Sequence, residues 1–175
     1  RQGTDGSVTA RLRYDMETRA LGGTLDIEKM DVTALLALAN QREQRITGMI
    51  TSEVQLGGTP DNPSIALTGT LADGTLATYP VNNVKLDAAL ADRVLTIRQI
   101  AGAQGTGGFS VVGTVDFDGM TNVDIAASDI ALGLFTKFAG VEEPVAGTAT
   151  LTAHIGGYTQ NPEADVHLMA KDGGM

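Results

Sequence analysis

The side chains that could do chemistry are few and scattered along the chain. The sequence has two histidines, His154 and His167, and no cysteine, so disulfides and thiolate chemistry are excluded. Each histidine falls at a polar position of an alternating segment, and no carboxylates at metal-ligand spacing accompany it. No motif joins a serine to a histidine, and no acid, base and nucleophile cluster together. The sequence therefore predicts no enzyme activity, no metal site and no cofactor.

Two further segments resemble ligand-binding loops but fit hairpin turns better. The glycine-rich AGAQGTGG at 101–108 leads straight into an alternating segment instead of a helix, which argues against a phosphate loop or a dinucleotide fingerprint. The acidic segment at 116–124 lacks the ligand spacing and the terminal bidentate glutamate of a calcium loop. We therefore expect a hairpin or a bulge at 101–108 and a hairpin turn at 116–124.

The balance of charge excludes one class of partner. The chain carries 21 acidic and 12 basic residues, a net charge of −9. Binding to a phosphate backbone needs clustered lysine and arginine. The one basic cluster, Arg11, Arg13 and Arg19, stands beside Asp15 and Glu17 and is predicted to be a solvated strand face. We expect no nucleic-acid partner.

The elements that must position any site are mostly short strands. Apolar and polar residues alternate along most of the chain, and the 22 glycines suit tight turns. Two runs lose the alternation, Thr33–Gln41 and Leu132–Ala139, and are predicted to be short helices, the first with Asp31 or Thr33 as N-cap. No apolar run approaches the roughly 20 residues that span a bilayer. We expect any membrane anchor or targeting signal of the parent protein to lie outside this fragment.

One stretch of sequence occurs twice. Ile46–Gly74 returns as Val145–Gly173 at an offset of 99 residues with no gap. The matching residues are mostly those of turns, including the Asn-Pro pairs at 62–63 and 161–162 and the Asp-Gly pairs at 73–74 and 172–173. An Asp-Gly pair typically closes a hairpin, so each copy is predicted to be strand, turn, strand, turn.

A second match extends the period. Leu25–Leu36 resembles Val123–Leu134 at an offset of 98 residues, with Asp26 over Asp124. A long period with partial copies is typical of repeat arrays, whose units stack on one another. The chain is therefore predicted to be a fragment of a β-repeat array with a period of about 99 residues: 1–45 a partial unit, 46–144 a complete unit of about six strands, and 145–175 a partial unit.

The alternation also predicts one long apolar surface. It is formed by Ile50, Val54, Leu56, Ile65, Leu67, Leu71, Val84, Leu86, Leu90, Leu95, Ile97, Phe109, Val111, Val115, Phe117, Val123 and Ile125. One interpretation is a closed core, either a sandwich or a solenoid interior. The other is an open, curved sheet whose apolar concave side holds acyl chains. The scarcity of aromatic residues favours the second interpretation, since aliphatic walls accept lipid tails without a shaped pocket.

Three segments together resemble a known family. The strand after GGTPDNP, the strand after DGTLATYPVNNVKLDAAL, and LTIRQIAGAQGTGGFSVVGTVDFDG are similar to TamB and its AsmA-like relatives, bridge-like lipid-transfer proteins of Gram-negative envelopes. The resemblance covers nearly the whole chain and is clearest from Gly48 to Gly119. It implies a mostly β, elongated, antiparallel-rich sheet with short helices, folded like a taco around a hydrophobic groove.

The resemblance also implies a function. Its expectations are phospholipid transport between the inner and outer membranes and help in outer-membrane protein assembly and secretion, with the parent protein in the periplasm and anchored in the inner membrane. The partners it implies are phospholipid acyl chains and, through parts outside this fragment, an outer-membrane barrel protein of the TamA type. Two alternatives remain: a β-augmentation chaperone or template for outer-membrane β-barrel proteins, and a structural β-solenoid passenger, whose usual repeats are shorter than this period.

Overall fold

The protein folds into one open antiparallel sheet. The computed structural model describes residues 6–34, 46–76, 79–133 and 146–171. Their strands are β1 (Ser7–Tyr14), β2 (Leu21–Asp31), β3 (Ile46–Gly58), β4 (Pro63–Leu76), β5 (Tyr79–Ala91), β6 (Val94–Gln104), β7 (Gly107–Asp116), β8 (Met120–Ala131), β9 (Thr148–Tyr158) and β10 (Asn161–Lys171). The strands lie side by side in chain order, with β1 and β10 at the two edges. The predicted mostly β, antiparallel fold is confirmed.

Tight turns explain why consecutive strands are neighbours. Asp92 and Arg93 join β5 to β6, and both have a positive φ, of 50° and 62°, as a two-residue hairpin of matching twist requires. Gln104 pairs with Gly107 around a second two-residue turn, and residues 117–119 join β7 to β8. The two segments that resembled ligand loops are therefore hairpins, as predicted.

Helical residues begin at the two places where the alternation of the sequence breaks. They are residues 32–34 and 132–133. The carboxylate of Asp31 accepts a hydrogen bond from the backbone N–H of Thr33 at 2.8 Å, which makes Asp31 the N-cap of the first helix. The rest of the predicted helices, to Gln41 and to Ala139, lies outside the described residues.

The expectation that Asp73-Gly74 closes a hairpin was wrong. Strand β4 continues through this pair to Leu76, and its pairing with β3 shifts by one residue there, which makes a bulge. A Cβ added to Gly74 would collide with the carbonyl oxygen of Thr47. Gly74 therefore allows a close approach of two backbones instead of a turn. The corresponding pair at 172–173 lies outside the described residues.

The two hairpins built from the repeated stretch pair in the same register. Ile50 lies opposite Leu71 in the first hairpin, and Ala149 lies opposite Ala170 in the second, each 99 residues further on. The glycine before each turn also has a similar backbone angle, with φ of 78° at Gly58 and 88° at Gly157.

Strands β2 and β8 precede these two hairpins. Their pairing patterns correspond at an offset that differs from the offset of the sequence match. The pairing of β2 with β3 shifts after Ile27, and that of β8 with β9 shifts after Ala127, an offset of 100 residues instead of 98. Lys29 and Asp129 lie in the two bulges with a positive φ of 45° and 50°. Two strands with alternating apolar and polar residues still match when one is shifted by two residues against the other. Sequence similarity alone therefore does not fix the register in which such a strand pairs.

The best-buried side chains gather at one end of the strands. Leu71, Val81 and Val84 form one cluster, with Val81 only 2% exposed. Val32, next to the end of β2, packs against this cluster. We call this end of the sheet, where the chain leaves β2, β4 and β8, the closed rim.

A second cluster at the closed rim joins distant strands. Ala127 and Ile130 of β8 are buried, Ile130 to 1% exposure, and Leu76 and Tyr79 of the β4–β5 connection pack against them. Strands three places apart would be roughly 14 Å apart in a flat sheet. The sheet therefore bends toward these side chains at the closed rim.

Candidate functional site

The strand pairing places the predicted lining residues on one face, with the exception of Phe117. Residues directly opposite each other in an antiparallel sheet share a face. One such row crosses five strands through Leu56, Ile65, Leu90, Leu95 and Val115. The others fall in parallel rows or alternate with them along the same strands: Ile50, Val54, Leu67, Leu71, Val84, Leu86, Ile97, Phe109, Val111, Val123 and Ile125. We call this surface the apolar face.

Phe117 departs from the prediction because β7 ends one residue before it. The carboxylate of Asp116 accepts a hydrogen bond from the backbone N–H of Asp118 at 2.9 Å and starts the turn. The N–H of Phe117 donates to the carbonyl oxygen of Arg93 at 3.0 Å, and its side chain is 45% exposed. Phe117 therefore lies at the end of the apolar face, beyond the strand.

No second layer covers the apolar face among the described residues. The ten strands form a single sheet, and their contacts are chiefly with their neighbours in it. Leu67 and Leu86, in the middle of the face, are only half-buried. This part of the chain does not contain the second sheet of a sandwich, and its antiparallel order differs from the parallel stacking of a β-solenoid. The closed core, one of the two interpretations of the sequence, is not found in this part of the chain.

The side chains of the apolar face are better buried at one rim of the sheet than at the other. Opposite the closed rim lie five turns at 15–20, 59–62, 92–93, 117–119 and 159–160, which we call the hairpin rim. Large apolar side chains of the apolar face are well exposed near this rim, among them Leu12 at 71% and Tyr14 at 51%. A depression of about 370 Å³ on this side is lined by residues that include Leu12 and Leu56. The apolar face therefore opens toward the hairpin rim.

Polar contacts connect the first three turns of the hairpin rim. Arg19 forms a salt bridge with Asp61 at 2.9 Å, which joins the β1–β2 turn to the β3–β4 turn. Asn62 donates a hydrogen bond to the carboxylate of Asp92 at 2.7 Å, which joins the β3–β4 turn to the β5–β6 turn. These contacts restrain the spacing of turns that the backbone pairing leaves free.

The same pattern continues across the last three turns. Arg93 makes two hydrogen bonds to Asp118 and holds the pKa of that carboxyl below its ordinary value. The hydroxyl of Thr159 donates to the carbonyl oxygen of Asp116 at 2.6 Å. Each turn of the hairpin rim is thus tied to the next. We call this series of polar contacts between successive turns the belt. The sequence analysis did not predict it, and the signal that could have indicated it is the recurrence of aspartate and arginine in successive turns.

The opposite face of the sheet is polar and has its own depression. About 750 Å³ in volume, it lies over β1–β6 and is lined by residues that include Arg11, Glu53 and Lys85. Arg98 forms a salt bridge with Asp87 on this face at 2.7 Å. A twisted sheet is saddle-shaped, so each face is concave along one diagonal. The polar side of the sheet is therefore concave along one diagonal as well.

The histidines lie on the polar face beside carboxylates. His154 Nδ1 is 2.8 Å from Asp124, and His167 Nε2 is 3.6 Å from Asp165. All four side chains are well exposed. Within the described ranges, no three histidine, aspartate or glutamate side chains gather closely enough to hold a metal ion. Both pairs are therefore exposed polar contacts between a histidine and a carboxylate.

Among the described residues, no helix has the length and hydrophobicity needed to cross a membrane. Comparison of the chain with protein-family models, with curated proteins and with solved structures finds no significant match in any of the three.

Proposed function

We propose that the chain is a segment of a periplasmic bridge and that its apolar face is a groove for the acyl chains of phospholipids. The parent protein would be anchored in the inner membrane and would move lipid between the inner and outer membranes. It would also assist outer-membrane protein assembly and secretion, through contact of other parts with a barrel protein of the TamA type. The resemblance of the sequence to the TamB and AsmA-like family motivates this proposal.

One observation carries the proposal: an apolar face that crosses the sheet without a covering layer in the described residues. Monomeric proteins rarely expose apolar patches larger than a few hundred Å², and larger ones mark an interaction with another apolar partner. Each methylene of a lipid tail buried against such a face contributes about 0.8 kcal/mol. A lipid tail therefore gains binding free energy from burial against this surface along its whole length.

The repeat supports the extension of the groove into a bridge. The complete unit at 46–144 holds the six strands β3–β8, and the hairpins that start this unit and the next share one register. At about 4.8 Å between neighbouring strands, six strands lengthen a sheet by roughly 29 Å. Several such units in a longer parent protein would span a considerable part of the distance between two membranes.

The test is photo-crosslinking of phospholipid to three positions of the apolar face in the full-length parent: Leu67, Leu86 and Val115. Lipid is expected to crosslink at each of them. Matched controls are their neighbours in sequence on the polar face, Thr68, Lys85 and Thr114, where no lipid is expected. Each control position lies on the same strand as its test position and differs from it in the face of the sheet that it occupies.

Charged variants give the functional part of the test. Leu67→Asp, Leu86→Asp and Val115→Asp each place a carboxylate in the path of the tails, and an unpaired charge among apolar groups is costly. Lipid exchange between the two membranes should fall strongly, while Thr68→Asp and Thr114→Asp leave it unchanged. If no lipid crosslinks on the apolar face and the charged variants transport normally, the proposal is wrong.

A further inference from the structure

The described residues contain the dipeptide Asp-Gly twice, in two different backbone settings. Asp73-Gly74 lies within strand β4, and Asp118-Gly119 lies in the turn between β7 and β8. The side chains of both aspartates are exposed. The two pairs therefore share their covalent chemistry and their access to solvent, and they differ in how firmly the backbone is held.

An Asp-Gly pair can rearrange without an enzyme. The backbone nitrogen of the glycine attacks Cγ of the aspartate, and one carboxyl oxygen leaves as water with the carboxyl proton and the amide proton, which closes a five-membered succinimide. Water then adds to either carbonyl of the ring and opens it to aspartate or to isoaspartate. Glycine favours the reaction because it has no Cβ to obstruct the ring. The rate therefore depends on how often the nitrogen reaches Cγ.

The strand setting prevents this approach at Asp73-Gly74. Gly74 is paired on both sides, with Gly48 of β3 and with Val81 of β5. A Cβ built at Gly74 would collide with the carbonyl oxygen of Thr47, so the backbone has no room to turn here. An opening of this pair must therefore break the pairing of β4 with both neighbouring strands.

The turn setting holds Asp118-Gly119 by fewer contacts. The backbone N–H groups of Asp118 and Gly119 each donate one hydrogen bond to Asp116, at 2.9 and 3.2 Å. The carboxylate of Asp118 accepts two hydrogen bonds from Arg93, and its side chain is 64% exposed. Exposed ion pairs are weak. The turn therefore opens more readily than the middle of the sheet.

We propose that Asp118-Gly119 is a site of spontaneous isoaspartate formation in the folded protein and that Arg93 sets its rate. In the closed turn, the two hydrogen bonds from Arg93 fix the carboxylate, so Cγ of Asp118 is not free to turn toward the nitrogen of Gly119. Arg93 also holds the pKa of Asp118 below its ordinary value, and an ionised carboxylate is a poorer electrophile than the protonated acid. Both effects slow the reaction until the ion pair opens.

The product interrupts the belt at one defined turn. In isoaspartate the main chain runs through Cβ and Cγ, which lengthens the backbone by one methylene, and the free carboxylate is attached to Cα. The two hydrogen bonds between Arg93 and Asp118 are then lost. With them goes the side-chain contact between the β5–β6 turn and the β7–β8 turn.

Incubation of the chain at neutral pH followed by peptide mapping tests the site. Electron-transfer fragmentation distinguishes isoaspartyl from aspartyl peptides of equal mass. In the folded chain, isoaspartate should form at least about tenfold faster at Asp118 than at Asp73, since the turn opens locally and the strand does not. In the chain unfolded in urea, the two sites should react at rates within about twofold of each other. Equal rates in the folded chain, or a tenfold difference that persists in urea, overturn the proposal.

Arg93→Gln tests the role of the ion pair. The variant removes the charge, and isoaspartate formation at Asp118 should rise about threefold while Asp73 reacts as before. Arg98→Gln, which removes the partner of Asp87 instead, is the matched control and should change neither rate. Circular dichroism confirms that both variants are folded. An unchanged rate at Asp118 in Arg93→Gln, or an equal rise in the control, overturns the role assigned to Arg93.

Discussion

At the scale of single residues, glycines fix several of the close approaches in the sheet. Gly113 lies in β7 with a φ of 145°, in a region that side chains with a Cβ rarely adopt. A Cβ there would also collide with the carbonyl oxygen of Asn122 in β8 and lie 2.6 Å from Cα of Val123. Position 113 therefore admits no larger residue without a shift of the backbone.

We expect Gly113→Ala to lower the free energy of unfolding by about 2 kcal/mol or more, because it combines backbone strain with a collision against backbone atoms. Urea denaturation measures the change. Gly22→Ala is the matched control, since a Cβ at Gly22 meets nothing within 4 Å and its φ is ordinary, so it should change stability by less than about 0.5 kcal/mol. Equal effects of the two substitutions would contradict this account of Gly113.

The pair of Arg93 and Asp118 predicts a pH dependence. The hydrogen bonds from Arg93 lower the pKa of Asp118 in the folded state, so the folded protein binds this proton less readily than the unfolded chain. The stabilising contribution of Asp118 is therefore complete above the ordinary carboxyl pKa of 3.8 and is lost as the pH falls through the lowered value.

Asp118→Asn should accordingly shift the urea midpoint downward at pH 7, and the effect should shrink as the pH falls through the lowered pKa of Asp118, since the wild-type carboxyl then becomes protonated as well. Glu163→Gln controls for the loss of one negative charge, because Glu163 forms no ion pair among the described residues. A difference between wild type and Asp118→Asn that stays constant with pH would exclude the contribution of this ion pair.

At the scale of elements, the strands differ in how well their hydrogen bonds are protected. Strands β4 and β5 have a partner on each side and contain the buried residues Leu71, Val81 and Val84. Within the described residues, strands β1 and β10 have one partner strand each and no buried residue. Local opening costs least where few apolar contacts must be broken.

Amides of β1 and β10 should therefore exchange with solvent at least about a hundredfold faster than those of β4 and β5. Hydrogen exchange at micromolar protein concentration measures this difference. Uniform protection across the ten strands would show that the edges are as stable as the centre, which contradicts the burial pattern.

Most of the strands and turns were predictable from the sequence, because alternation and turn residues act over a few neighbouring residues. The hairpins at Asp92-Arg93 and at 105–106 follow from such local chemistry. Asp73-Gly74 was misjudged because the same dipeptide serves a turn or a bulge, and which of the two forms depends on the partner strand. Local sequence contains no information about that partner.

At the scale of the whole molecule, the cluster around Ile130 holds the bend of the sheet at the closed rim. Ile130→Ala should cost about 2–5 kcal/mol of unfolding free energy, since it leaves a cavity where β8 meets the β4–β5 connection. Leu12→Ala, on the exposed edge strand, should cost less than about 0.5 kcal/mol. Urea denaturation compares the two, and similar losses would mean that the cluster does not hold the bend.

The sequence by itself determined the strands, the composition of the apolar face and the correspondence of the two hairpins 99 residues apart. Side-chain alternation has a period of two residues, and a turn is decided by two to four, so both are present in any short window of sequence. For this reason the predicted lining residues fall on one face, with Phe117 displaced only by the residue at which β7 ends.

Only the tertiary structure decided what lies on each side of that face. Whether an apolar face is covered depends on the overall curvature of the sheet and on the distance between its two edge strands. Both are properties of all ten strands together. The bulges at Lys29, Asn83 and Asp129 change the local twist through pairing between distant residues. Contacts of this kind produce the open sheet, the closed rim and the belt along the hairpin rim. Each contact joins two residues that lie too far apart in the chain for one short window of sequence to contain both.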